Sequence, residues 1–234
     1  MSSTDSDSDQ REFDWVERFC NKRGNEFFCL IDEEYVNSNF NLTGLRQNVR
    51  HYKPALKFIR NTEEPNLELM SEEKALEIEE DTEHLYGLIH SRYIVTDEGM
   101  RRMAKKYRAG IFGKCPNVFC KKQPCLPIGL YDEPKKDTVK LYCPKCRDIY
   151  SPKLRYRKID GAYFGTTFPH LLLNIRETIR PSEPPQEYTP TIFGFQIDKI
   201  DLENENNEKI EKDEDLNQNK NEEFKKEQKK ENIK

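Results

Sequence analysis

The residues best suited to chemistry in this sequence are thiols. Cys115-Pro-Asn-Val-Phe-Cys120 and Cys143-Pro-Lys-Cys146 form two close cysteine pairs. Each short loop can point two sulfurs inward, and two such loops close a tetrahedron of four thiolates, the donor set of a structural zinc ion. The 22 residues between the pairs slightly exceed the usual gap, and the first pair is wider than the commonest spacing. The gap suits a two-stranded ribbon. Leu126 to Tyr131 is apolar, Asp132 to Asp137 is a Pro- and Lys-rich turn, and Thr138 to Tyr142 is β-branched and aromatic. Cys125 is an alternative to Cys120 as a ligand, although Pro124 interrupts the approach to it and the 115/120 pairing fits a knuckle better. A disulfide framework would suit a secreted chain, but no apolar signal segment opens this one. A thioredoxin-like Cys-x-x-Cys would need a βαβ context that the pattern lacks.

A ribbon of this kind needs a body to position it. The chain has 234 residues, enough for one or two domains, with 35% of them charged and 35% apolar. Apolar density is highest between residues 13 and 200, where the core is expected. A net charge of −4 argues against a nucleic-acid footprint over the whole surface. No apolar run approaches the roughly 18 residues of a membrane helix. Seven cysteines without a signal segment imply a reducing compartment.

Residues 13–109 read as helical. Phe13, Val16, Phe19 and Cys20 share one face of a first helix that stops at Gly24. Tyr35 and Val36 belong to a short helix after Asp32-Glu33-Glu34, and Tyr52 to Ile59 forms another, with Pro54 tolerable in its first turn. Ser71 opens a long helix with Leu76, Leu85, Leu88, Ile89 and Tyr93 on its apolar side. Thr96-Asp97-Glu98 starts the next, whose last turns carry Arg101, Arg102, Lys105, Lys106 and Arg108. That basic run reads as a solvated face, or, with Lys153, Arg155, Arg157 and Lys158, as a phosphate- or nucleic-acid-binding patch. The acidic run Glu72–Glu83 reads as a solvated face or as a site for polyamines or basic partners. Cys20 and Cys29 suit buried thiols. His84 and His90, six residues apart, fall on different sides of a helix, so no histidine pair suits metal or catalysis.

After the ribbon, Gly161 to Arg176 predicts a buried turn and a short helix through Leu171-Leu172-Leu173. Pro181, Pro184, Pro185 and Pro190 then force an extended path into Ile192-Phe193-Gly194-Phe195-Gln196-Ile197. As a strand, this hexamer puts Phe193 and Phe195 on one face, either to close the domain's own core or to anchor a partner. At the two ends the composition changes. Residues 1–12 are a Ser/Asp tract in which Ser2, Thr4 and Ser6 each precede an aspartate by three residues, an acidophilic kinase pattern. Residues 201–234 are mostly Glu, Lys and Asn. Neither segment has enough apolar surface to offset its ordering entropy, and both are expected to be disordered.

The longer strings resemble one family. Arg23-Gly-Asn-Glu-Phe-Phe-Cys29, Phe40-Asn-Leu-Thr-Gly-Leu45, Leu85-Tyr-Gly-Leu-Ile-His90, Lys140-Leu-Tyr-Cys-Pro-Lys-Cys146 and Asp160-Gly-Ala-Tyr-Phe-Gly-Thr166 closely resemble the regulatory beta subunits of casein kinase II. The resemblance spans residues 13–198. It implies a homodimer held through zinc ribbons, with Cys115, Cys120, Cys143 and Cys146 as ligands of one Zn2+ per chain. It also implies a docking element for the catalytic alpha subunit at Ile192, Phe193, Gly194 and Phe195. It further implies phosphorylation at Ser2 and Ser3 by the holoenzyme; Ser3 would first need Ser6 phosphorylated. The family's acidic loop falls at Asn61-Thr-Glu-Glu-Pro-Asn-Leu-Glu68, here diluted, so polyamine binding would rest on Glu63 and Glu64 or shift to Glu72 and Glu73.

The fold class expected is therefore α+β, with a helical domain at 13–109, a zinc-ribbon dimerisation domain at 110–160 and an extended docking segment at 161–200. The function expected is a non-catalytic regulatory subunit in an alpha2-beta2 tetramer, tuning the kinase's protein substrates in cytoplasm and nucleus. No Gly-rich ATP loop or kinase catalytic-loop motif accompanies it. The alternative is a zinc-ribbon nucleic-acid-binding factor.

Overall fold

The computed structural model describes residues 14–62, 71–185 and 188–196. The expectations placed on 1–12 and 201–234, with Ser2, Ser3, Thr4 and Ser6, lie outside the described residues, as do Phe13, Glu63, Glu64 and Ile197. The chain forms two units, one through Gln186 and one from Glu187.

The first unit begins with α1, Trp15–Asn21, started by Asp14, whose side chain accepts from the Glu17 N–H at 2.7 Å. Trp15 and Phe19, four residues apart on one face, stack with centroids 5.0 Å apart. Helix α2 spans Glu33–Asn37 and α3 spans Tyr52–Arg60, where Ala55 and Ile59 are buried. The long α4, Glu72–Tyr93, buries Leu85, Tyr86, Leu88, Ile89 and Tyr93. Leu76 departs from expectation: it is 59% exposed. Nine residues separate it from Leu85, about 900° at 100° per residue, which places it on the opposite side of the helix. Ile78 and Thr82 take the buried positions instead. The next helix, α5, Asp97–Arg108, is capped by Thr96, whose hydroxyl accepts from the Gly99 N–H.

The ribbon forms a three-stranded antiparallel sheet in the order β1 (Leu126–Ile128), β2 (Lys140–Tyr142), β3 (Ile149–Tyr150). Leu126 pairs with Tyr142, and Leu141 with Tyr150. The third strand was not anticipated, because two residues carry no readable alternation. Helix α6, Phe168–Ile175, follows a 3-10 turn at Gly161–Tyr163. Phe27 joins these segments. It stacks on Tyr156 at 4.0 Å and meets Phe112 and Phe164 edge-on. Residues from the helical segment, the ribbon and the segment after it therefore share one hydrophobic core. No helix among the described residues is long and apolar enough to cross a membrane.

The second unit contains a short hairpin, β4 (Thr191–Ile192) against β5 (Phe195–Gln196), with Ile192 opposite Phe195. This corrects the single extended arm. Phe193 and Gly194 both have positive φ, 50° and 86°, and two such residues in succession reverse the chain as a two-residue hairpin turn. Phe193 and Phe195 thus lie at the tip and on a strand, and do not share one strand face.

Candidate functional site

The four cysteine sulfurs converge. All lie within 4.8 Å of one another, with Cys115 and Cys146 3.7 Å apart and Cys120 and Cys143 3.9 Å apart. These are not disulfides. A tetrahedral ion with metal–sulfur bonds of about 2.3 Å, the zinc–thiolate length, sets its sulfurs about 3.8 Å apart. The donor set and spacing therefore fit such an ion.

Local backbone geometry builds each half. In the first knuckle the Asn117 side chain accepts from Phe119 N–H at 2.9 Å, folding Val118–Cys120 into a 3-10 turn. Lys121 and Lys122, with φ of 53° and 61°, turn the chain back so that Cys115 N–H donates to Gln123 O at 2.7 Å. In the second knuckle Arg147 N–H donates to Cys143 O at 2.8 Å, and Cys143 N–H to Asp148 O at 3.0 Å. Arg147, with φ of 63°, makes that reversal possible. Left-handed residues without a glycine cost about 1 kcal/mol each, so three of them mark a geometry the rest of the ribbon enforces.

The acidity of the thiols differs across the centre. Burial pushes the Cys143 thiol up to about 11 and raises Cys120 as well, so both resist ionising without a positive charge beside them. Cys146 moves the other way: burial opposes ionisation, but hydrogen bonds from the Tyr150 hydroxyl and the Asp148 backbone outweigh it. The Tyr150 oxygen lies 3.3 Å from Cys146 Sγ. Cysteine spacing does not announce Tyr150; its one signal is a tyrosine four residues beyond the last cysteine. Cys125 is buried but stands outside the four-sulfur cluster, with its sulfur 3.9 Å from Gln123 O.

The remaining thiols are interior. Burial pushes Cys20 up to about 11 and Cys29 up to about 12, which leaves neither poised as a nucleophile. His84 and His90 do fall on different sides of α4, yet both reach Tyr163. His84 Nδ1 meets its hydroxyl at 2.9 Å, and His90 Nδ1 donates to its carbonyl at 2.8 Å. Gly87 lies between them because any Cβ there would run into the Tyr163 ring. With Nδ1 donating, His90 Nε2 accepts from Cys29 N–H at 3.2 Å. The imidazole is thus neutral, and burial brings its pKa down to about 4.

The basic run on α5 divides: Arg101, Lys105 and Arg108 are exposed, as on a solvated face, while Arg102 and Lys106 turn back to the chain. Lys106 donates to Glu26 O and Phe28 O, and Arg102 to Leu30 O, Glu98 and Asp32. Arg102 and Lys106 thus bind the Glu26–Asp32 loop and belong neither to a solvated face nor to a phosphate-binding patch. On α4, Glu72 and Glu73 are exposed in the first turn, while Glu83 pairs with Lys22 and Asp81 with His51.

The hairpin carries three large apolar side chains open to solvent; Phe40 and Val118 elsewhere are exposed as well. Phe193 is 98% exposed, Phe195 78% and Ile192 57%.

A helical body and a tetrathiolate ribbon share one core, and a second unit carries a solvent-exposed aromatic hairpin. The model of the family described as casein kinase II regulatory subunit matches residues 14–196. Casein kinase II subunit beta of Dictyostelium discoideum is 49% identical over 200 residues, covering 85% of this chain and 74% of that protein. The Schizosaccharomyces pombe subunit beta is 46% identical over 198 residues, 84% of each chain. Putative casein kinase II subunit beta-4 of Arabidopsis thaliana is 49% identical over 203 residues, 84% of this chain and 72% of that one. The chain belongs to the casein kinase II regulatory subunit family, whose members are non-catalytic.

Proposed function

We propose that this chain is a regulatory subunit that binds one structural Zn2+ through Cys115, Cys120, Cys143 and Cys146 and dimerises through its ribbon. Each chain of the dimer holds one casein kinase II catalytic alpha subunit through Ile192, Phe193, Gly194 and Phe195. In the resulting tetramer it modulates kinase stability and the choice of protein substrates, in cytoplasm and nucleus. The N-terminal Ser2, Ser3, Thr4 and Ser6 are substrates of the assembled kinase, and Glu63, Glu64, Glu72 and Glu73 take polyamines or basic partners. The observation that carries this reading is the family match over residues 14–196, which includes both the cysteine centre and the hairpin. The engagement of Lys106 and Arg102 by backbone carbonyls weighs against the nucleic-acid alternative.

Affinity purification of the full chain, with and without nuclease, tests the reading. It expects a kinase catalytic subunit retained after nuclease treatment. Recovery of nucleic acid with no kinase, at an affinity falling steeply with salt, overturns it.

A further inference from the structure

Separate from the cysteine centre and the hairpin, the first unit contains a cleft of about 640 Å³, within the size range of small-molecule sites. Its floor includes Phe28 and Tyr163. Arg23 follows α1, Arg50 precedes α3, Lys135 sits in the connection from β1 to β2, and Lys158 lies beyond β3. All four line this one cleft and are exposed. None of their charged groups has a hydrogen-bond or ion-pair partner among the described residues. Lys22 and Arg155 add two further cations, paired with Glu83 and Glu26 respectively.

Carboxylates also line the cleft, but most are engaged. Glu83 is paired with Lys22, and Asp81 with His51, whose Nε2 lies 4.0 Å from Glu77. Asp160 accepts from the backbone N–H groups of Lys135 and Ala162. Glu80 alone has no partner among the described residues. Glu83 and Asp81 are thus taken up by Lys22 and His51, while four cations from separate stretches of chain line the same cleft without an ion-pair partner of their own. Unpaired cations facing one cleft favour an anion with several charges close together.

We propose that this cleft binds a compact polyanion bearing closely spaced phosphate groups. The guanidinium groups of Arg23 and Arg50 offer paired N–H donors to phosphate oxygens, and the ammonium groups of Lys135 and Lys158 act as point charges. Because its walls come from α1, α4 and the segment after the ribbon, a bound anion ties the helical part to the ribbon and stabilises the folded state by mass action.

The test is calorimetric titration of the full-length protein with tripolyphosphate at fixed ionic strength, with sulfate as the comparison ion. Saturable one-to-one binding of tripolyphosphate is expected, with weak or no binding of sulfate. Arg50→Gln combined with Lys158→Gln is expected to weaken binding about tenfold or more. Lys153→Gln, which removes an exposed cation outside the cleft, is expected to leave it within about twofold. Glu80→Gln is expected to tighten binding slightly, and this opposite sign keeps the test decisive if the double variant misfolds. Equal weakening by Lys153→Gln, no effect of Glu80→Gln, or unsaturable binding overturns the proposal. Binding of a phosphoserine peptide but not of tripolyphosphate also overturns it, because the site would then recognise a peptide chain.

Discussion

The cysteine centre and the C-terminal hairpin are both short, both built on tight reversals with residues in the left-handed region, and opposite in what they do with their reactive groups. The knuckles use Lys121, Lys122 and Arg147 to turn four sulfurs inward, three of them buried. The hairpin uses Phe193 and Gly194 to set three large apolar side chains in solvent. A local turn therefore does not decide function by itself. What decides it is whether the chain supplies the partner. The centre offers four converging sulfurs to an ion, and its own backbone hydrogen bonds hold the knuckles. The hairpin buries almost nothing of its own, so its aromatic area gains free energy only against another molecule.

This contrast assigns stability to the first region and binding to the second, and the assignment can be broken. The largest effect expected is at the centre. Cys143→Ser removes a buried ligand, and a structural tetrathiolate site contributes on the order of 10 kcal/mol to folding. Zinc content should fall from one per chain towards zero, and the dimer should dissociate. A metal-free protein that remains a dimer by light scattering contradicts the inward-facing role.

A second, smaller effect separates the interior from the hairpin by pH. His90 is neutral in the fold with a pKa near 4 and titrates near 6.5 when unfolded. Between these values the unfolded chain binds the extra proton, so stability is lost as pH falls from about 6.5 to about 4, by about 3 kcal/mol in all. Denaturant unfolding at intervals across that window should show this slope, and His90→Gln should flatten it. Equal slopes in the two proteins would mean that His90 is already protonated in the folded state.

The smallest effect sharpens the ligand set. Cys125→Ser exchanges a buried thiol for a hydroxyl and is expected to cost about 1 kcal/mol or somewhat more in stability. Metal content should stay unchanged, as elemental analysis of the purified variant would read. Loss of the ion would place Cys125 among the ligands.

How much of this was legible in the sequence follows the same division. Cysteine spacing pointed to the centre because a tetrahedral site constrains loop length directly. Helices α1 to α5 were readable from caps such as Thr96 and from apolar periodicity, with one error at Leu76, where hydrophobicity was counted without its angular position. The hairpin was misread as a strand because Phe193 is a strong strand former, and nothing in its type announces a left-handed φ. Within the α5 basic run, the inward turn of Lys106 and Arg102 was not legible because they reach carbonyls of a loop more than 70 residues away in sequence. The cleft lined by Arg23, Arg50, Lys135 and Lys158 was invisible for the same reason: its four cations come from separate stretches of chain.

The central claim is that partner binding resides in the exposed hairpin while folding resides in the core and the cysteine centre. Calorimetry of the Phe193→Ala, Phe195→Ala double variant against the catalytic subunit, with zinc content and mass measured on the same sample, tests it most directly. If both rings are anchors, the loss is roughly 2 kcal/mol or more for each, an affinity weaker by orders of magnitude, with zinc and dimer unchanged. An affinity within about threefold of the unmodified protein, or a double variant that loses its ion and its fold, contradicts the account.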